Sequence, residues 1–153
     1  MKVLLVGSGG REHALAWKIA QSPLLTALHA VPGSDAIGEL ATCHDGSVSD
    51  IDGLVELARK IEADLVVVGP ENPLCDGLAD RLRQAGIATF GPSGLAARLE
   101  ASKAYAKDFY ARHKVPSAGY GTFSDAAEAK AFLDRVEPPY VLKADGLAAG
   151  KGV

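Results

Sequence analysis

Lys2-Val3-Leu4-Leu5-Val6 runs directly into Gly7-Ser8-Gly9-Gly10-Arg11-Glu12-His13-Ala14-Leu15. An apolar run of strand length meets three glycines in four residues, then an alanine- and leucine-rich run of helical character. The reading is a strand, a tight loop and a helix start. Glycine lets the backbone turn sharply and lets a ligand approach the main chain with no side chain in the way. The free N–H groups of a helix's first turn carry partial positive charge, so the expected ligand is an anion, usually phosphate. Arg11 adds a permanently charged, bidentate partner for it. A glycine turn that served only the fold would have no need of that arginine.

The dinucleotide fingerprint is G-x-G-x-x-G. Gly7 and Gly9 fit its first two positions, but the third falls on Glu12. A carboxylate there is expected to spoil close helix–strand packing and to sit near a pyrophosphate. The acid that should close the second strand is also missing, because that strand ends in Val31-Pro32-Gly33. Both features argue against NAD or FAD.

Outward from this stretch, apolar strand-like runs alternate with helical ones. A first helix spans about Glu12 to Gln21, with Leu15, Trp17 and Ile19 as its apolar face; His13 and Trp17 are read as packing near the sheet. A strand near Ala27 to Val31 ends in the loop Pro32-Gly33-Ser34-Asp35. Asp45-Gly46 is a turn signal in a segment, Glu39 to Val48, with no clear period. Ser49 or Asp50 caps a helix, with Ile51, Leu54, Val55, Ala58 and Ile61 at helical spacing. Leu65-Val66-Val67-Val68 reads as a strand buried on both faces, ending in the loop Gly69-Pro70-Glu71-Asn72-Pro73-Leu74. Leu78 to Ala85 is a helix stopped by Gly86, and Ile87 to Phe90 a further strand. Short connections and strict alternation predict an α/β fold, a parallel sheet with helices on both faces. Ligands of such sheets sit beyond the carboxyl ends of the strands. Three loops, Gly7–Arg11, Pro32–Asp35 and Gly69–Leu74, are therefore expected to form one small-molecule site. Glu71 would accept from a sugar hydroxyl or an amine, or else cap the turn after it.

The pattern changes near Gly94. Leu95 to Glu100 reads as a short helical linker, and Ser102 caps a helix running to about His113 or Lys114, with Tyr105 and Phe109 on one face. Lys103 in its first turn opposes the helix dipole. Tyr120 to Phe123 and Tyr140 to Lys143 read as strands, with a helix between them capped by Ser124 or Asp125. Lys143-Ala144-Asp145-Gly146-Leu147-Ala148-Ala149-Gly150-Lys151-Gly152-Val153 then combines open backbone N–H groups with two lysines, which suits a polyphosphate. It is not a Walker A loop, because three residues separate Gly146 from Gly150 and Gly152 stands where a metal-binding hydroxyl belongs. The expectation is a glycine flap over phosphates. Ending where a strand begins, the chain is also expected to be truncated.

Sixteen Lys and Arg against nineteen Asp and Glu, a net charge of −3 over 153 residues, argue against a basic nucleic-acid surface. No apolar run approaches the ~20 residues of a membrane span. Cys43 and Cys75 have no metal-ligand spacing and suit two reduced thiols in a cytoplasmic protein.

Several motifs resemble a known family, in that family's order along the whole chain. They are Val6-Gly7-x-Gly9-Gly10-Arg11-Glu12-His13-Ala14-Leu15, Val68-Gly69-Pro70-Glu71-x-Pro73-Leu74, Phe90-Gly91-Pro92, Leu99-Glu100-x-Ser102-Lys103 and the stretch Lys143–Val153. The resemblance is to phosphoribosylamine–glycine ligase, also called glycinamide ribonucleotide synthetase, of the ATP-grasp superfamily. Ser34 departs from the asparagine usual after Pro-Gly. The resemblance implies a Rossmann-like pre-ATP-grasp domain over residues 1–100 that binds substrate, and the start of an ATP-grasp domain over 101–153. It implies ligation of glycine to 5-phosphoribosylamine at the expense of ATP in purine biosynthesis, through an acyl phosphate. Gly9, Gly10, Arg11, Glu12, Pro32, Gly33 and Glu71 would contact the sugar-phosphate substrate. Lys103, Lys143, Gly146, Gly150, Lys151 and Gly152 would contact ATP, with Gly146–Gly152 as a lid. Mg2+ or Mn2+ would be held by residues beyond 153, so this chain alone would be inactive. The partners implied are small molecules, with a monomer as the favoured state. The competing readings are a non-catalytic nucleotide- or phosphate-binding module, another ATP-grasp ligase and a Rossmann oxidoreductase.

Overall fold

A computed structural model of the chain describes residues 1–148. The expectations for Gly150, Lys151 and Gly152 lie outside the described residues. The chain divides into two compact units, Met1–Ala97 and a second beginning at Arg98.

The first unit holds a five-stranded parallel sheet. Its strands are β1 (Lys2–Gly7), β2 (Ala27–Pro32), β3 (Thr42–Cys43), β4 (Leu65–Val68) and β5 (Ala88–Phe90), in the order β3-β2-β1-β4-β5. Between them lie α1 (Gly10–Ala20), α2 (Asp35–Gly38), α3 (Ile51–Lys60), α4 (Glu71–Cys75) and α5 (Leu78–Gln84), and α6 (Gly94–Ala101) follows β5. Side chains alternate across a strand, and β1 uses both sets. Leu4 and Val6 join Val31, Val66 and Val68 under α3 and α5, against Leu54, Val55, Leu78 and Leu82. Val3 and Leu5 join Leu28, Ala30 and Val67 on the other face, against Ala16 of α1 and Ile37 of α2. Each fully buried Leu or Val contributes roughly 1.5–3 kcal/mol, so this continuous apolar run is what makes β1 the central strand. Helices cover both faces, as the alternation predicts.

Local chemistry sets the helix ends. Asp50 caps α3, its carboxylate accepting from Gly53 N at 3.0 Å. Ser34 caps α2, with its hydroxyl 3.4 Å from Ile37 N. Gly86, at φ +77°, takes the left-handed conformation that ends α5.

Several expectations differ from the structure. Glu71–Cys75 is a short helix rather than a loop. Pro70 stands at its N-cap, and Pro73 falls within the first turn, where an amide has no helical partner to lose. Trp17 is 57% exposed and His13 is exposed, so neither packs near the sheet. Glu12 and Ala16 are the buried positions of α1, and the 13–17 row lies along its outer side.

In the second unit, α7 (Lys103–His113) and α8 (Ala126–Leu133) follow their caps Ser102 and Asp125. Neither Tyr120–Phe123 nor Tyr140–Lys143 forms a strand. A strand exists only where a neighbour takes its backbone hydrogen bonds, and neither stretch has one among the described residues. Tyr120 instead donates its hydroxyl to Asp108 Oδ1 at 2.8 Å, and the Phe123 ring lies 5.2 Å from that of Phe132. Val141 and Leu142 are about two-thirds exposed, at 65% and 66%.

Candidate functional site

In the first unit, three strand ends meet around the carboxyl end of β1. Gly7 pairs in register with Pro32 of β2, and Val6 with Val68 of β4. Gly33 N donates to Gly7 O at 3.2 Å, and Gly69 N donates to Val6 O at 3.0 Å. The chain leaves β1 toward β2 and β3 on one side, then crosses to β4 and β5 on the other. The gap between the ends of β1 and β4 is thus the topological switch point, where α/β sheets bind ligands.

α1 starts directly above this point. The first-turn amides of Gly10 and Arg11 have no carbonyl to bond within the helix. A Cβ added at Gly10 would meet nothing within 4 Å, so the space above it is open. The Arg11 side chain is 59% exposed; its Nε donates to Glu12 Oε1 at 2.8 Å, and Nη2 lies 3.7 Å from Glu71 Oε2. The hydrogen bond to Glu12, with smaller help from both carboxylates' charges, raises the guanidinium's already high pKa. Glu71 opens α4 and faces Arg11 across the rim. The arrangement presents a fixed cation and two free amides to solvent, which suits an anionic group.

Glu12 was expected to spoil helix–strand packing. It instead forms part of that packing, buried over Gly7 and Gly69, whose missing side chains leave it room. Its second oxygen accepts from Gly9 N at 2.8 Å. Pro32 and Gly33 line an open depression with Ser34, Asp35, Gly38 and Cys43, next to the rim. Gly33 sits at φ +73°, and a Cβ there would run into Cys43 Sγ.

The second unit has its own cluster. Asp145 Oδ1 accepts from Lys103 N at 2.6 Å and Ala104 N at 3.3 Å, and Oδ2 from the Ser102 hydroxyl at 3.1 Å. The backbone N–H of Ala104 chiefly, then those of Gly146 and Lys103 and the Ser102 hydroxyl, hold the Asp145 carboxyl below its ordinary pKa of 3.8. Lys103 Nζ donates to Gly146 O at 2.7 Å. An ammonium has three donors, so Lys103 keeps capacity for a phosphate. Lys143 is exposed. Sequence reasoning gave Asp145 no role, because nothing in a separation of more than forty residues signals that it caps α7. Among the described residues, no group of three or more His, Cys, Asp or Glu could hold a metal. No helix among them is long and apolar enough to cross a membrane.

Residues 1–100 match the family model described as phosphoribosylglycinamide synthetase, N domain, and residues 101–153 match that family's ATP-grasp (A) domain. The chain belongs to the phosphoribosylglycinamide synthetase family. It is 61% identical over 153 residues to a phosphoribosylamine–glycine ligase of Caulobacter vibrioides, covering 100% of this chain and 36% of that protein. The chain thus spans about a third of the length of such synthetases. The crystal structure of phosphoribosylamine–glycine ligase from Thermotoga maritima superposes with a TM-score of 0.78 at 32% identity, over 99% of this chain and 35% of that one. At 20% identity, the biotin carboxylase domain of Hydrogenobacter thermophilus 2-oxoglutarate carboxylase, solved with MgADP, shares the fold with a TM-score of 0.68, over 97% of this chain and 36% of that one.

Proposed function

We propose that this chain carries the sugar-phosphate site, over residues 1–100, and the start of the nucleotide site, over 101–153, of an ATP-dependent ligase joining glycine to 5-phosphoribosylamine in purine biosynthesis. The γ-phosphoryl group of ATP passes to the glycine carboxylate, giving an acyl phosphate and ADP. The amine of 5-phosphoribosylamine then attacks the acyl carbon, phosphate leaves, and glycinamide ribonucleotide forms. The observation that carries this reading is the exposed Arg11 guanidinium beside the free amides of Gly10 and Arg11 at the switch point. These groups hold the 5-phosphate. Pro32 and Gly33 border the sugar, and Glu71 accepts from its amine or a hydroxyl. Lys103 and Lys143 reach ATP phosphates and offset charge during phosphoryl transfer, and Gly146, Gly150, Lys151 and Gly152 belong to the loop that contacts ATP. Family membership implies Mg2+ or Mn2+ as cofactor, with ligands expected beyond residue 153, and on this reading the chain alone is inactive. The protein acts in the cytoplasm as a monomer on small molecules.

Calorimetric titration with ribose 5-phosphate tests the reading. Saturable binding that Arg11→Ala weakens at least about tenfold, the scale of a lost charge-assisted pair, supports it. Equal binding by both proteins contradicts it. Glycine-dependent ATP cleavage by this chain alone would refute the claim of inactivity.

A further inference from the structure

Glu12 is the one buried polar or charged residue among the described residues, at 4% exposure. Both its oxygens are engaged, Oε2 by Gly9 N and Oε1 by Arg11 Nε, each at 2.8 Å. A Cβ added at Gly7 would lie 2.6 Å from Glu12 Cγ, one at Gly69 equally close to that atom and closer still to Oε1, and one at Gly9 2.9 Å from Oε2. Three glycines therefore surround this single side chain. In sheets of this topology, glycines at the switch point make room for a ligand's diphosphate. Here the carboxylate occupies that room.

We infer that Glu12 contacts no substrate and is the positioning residue of the rim, with two consequences for specificity. First, a carboxylate in the crevice between Gly7 and Gly69 bars a diphosphate from it, because two anions cannot share one set of donors. Second, by fixing Nε and the Gly9 amide, Glu12 leaves the Nη groups of Arg11, one of which faces Glu71 at 3.7 Å, and the amides of Gly10 and Arg11 as the remaining donors. The Gly10 position borders open space, and this set of donors fits the terminal phosphate of a sugar monophosphate. This inference rests on the sugar-phosphate reading given above.

The test compares the chain with Glu12→Gln, which keeps the volume and removes the charge. Three readouts are followed: ribose 5-phosphate affinity, the 15N-detected Arg11 Nε–H resonance, and amide shifts on adding ADP-ribose. Removing a negative charge beside a phosphate site should tighten binding if electrostatics alone mattered. Positioning demands the opposite: binding weakens about tenfold, as for a lost charge-assisted hydrogen bond, and the Nε–H resonance moves and exchanges faster. Equal or tighter ribose 5-phosphate binding by Glu12→Gln overturns the inference. So does ADP-ribose shifting the amides of Gly7 and Gly69 in the unsubstituted chain. Should Glu12→Gln fail to fold, the unsubstituted chain decides: a slowly exchanging Arg11 Nε–H upholds the clamp, and a freely exchanging one overturns it. If ribose 5-phosphate binds neither protein, the sugar-phosphate reading fails, and the Nε–H resonance still judges the clamp.

Discussion

Gly69 has no side chain because Glu12 stands where its Cβ would be, and Gly7, at φ +124°, meets the same obstacle together with backbone strain. Gly10 is different, since its surroundings are open and it lies in the first turn of α1. Gly69 and Gly10 therefore separate by experiment. Gly69→Ala must displace a buried, fully hydrogen-bonded carboxylate, and is expected to cost about 1–3 kcal/mol in urea unfolding. Gly10→Ala is expected to leave stability unchanged or raise it by up to about 1 kcal/mol. Equal stability of the two variants would show that Glu12 moves aside freely. The glycines and Arg11 were legible in the sequence because their chemistry is local to one loop. The place of Glu12 was not, because it depends on Gly69, which only the parallel pairing of β1 with β4 brings near.

Elements were legible where period and caps agreed. β1, β2, β4 and β5 and the helices α1, α3, α5 and α7 follow from apolar runs bounded by glycine, proline or a capping residue. β3 is two exposed residues at the sheet edge and has no pattern to read. The tyrosine-bearing stretches near 120 and 140 have strand composition, yet composition cannot supply the neighbouring strand that pairing requires. The start of α7 carries a dependence on pH. Its Asp145 cap has a pKa below 3.8 in the folded chain, owing first to the Ala104 amide. The folded state thus prefers the charged carboxylate. Its contribution is complete above the unfolded value and is lost as pH falls below 3.8 through the folded one. Amide-exchange protection at the start of α7 should decline over that range, and Asp145→Asn should abolish the decline. An identical profile in the substituted chain would contradict the assignment. Ser102→Ala should lower the stability of the second unit by about 1 kcal/mol.

At the scale of the whole molecule, the two units differ in what holds them. The first buries both faces of its sheet, with Leu4 and Leu5 at 0% exposure. Of the described residues from Arg98 on, Ala106 alone is buried. Regions with few buried apolar contacts open at lower free energy. Amides of β1 and β4 should therefore exchange slowest, near the global limit, and those of α7 and α8 through cheaper openings. Uniform protection across both units would contradict this picture. Leu4→Ala should cost about 2–5 kcal/mol and should raise exchange in the sheet far more than in α8.

The account's central claim is that the strand ends around β1 bind a phosphorylated sugar. Its most direct measurement is an amide 15N–1H titration of this chain with ribose 5-phosphate. Saturable shifts concentrated at Gly9, Gly10 and Arg11, with smaller ones at Gly33 and Glu71, are the expected result. Shifts that leave those residues unmoved at saturating ligand, or that cluster elsewhere, would contradict it.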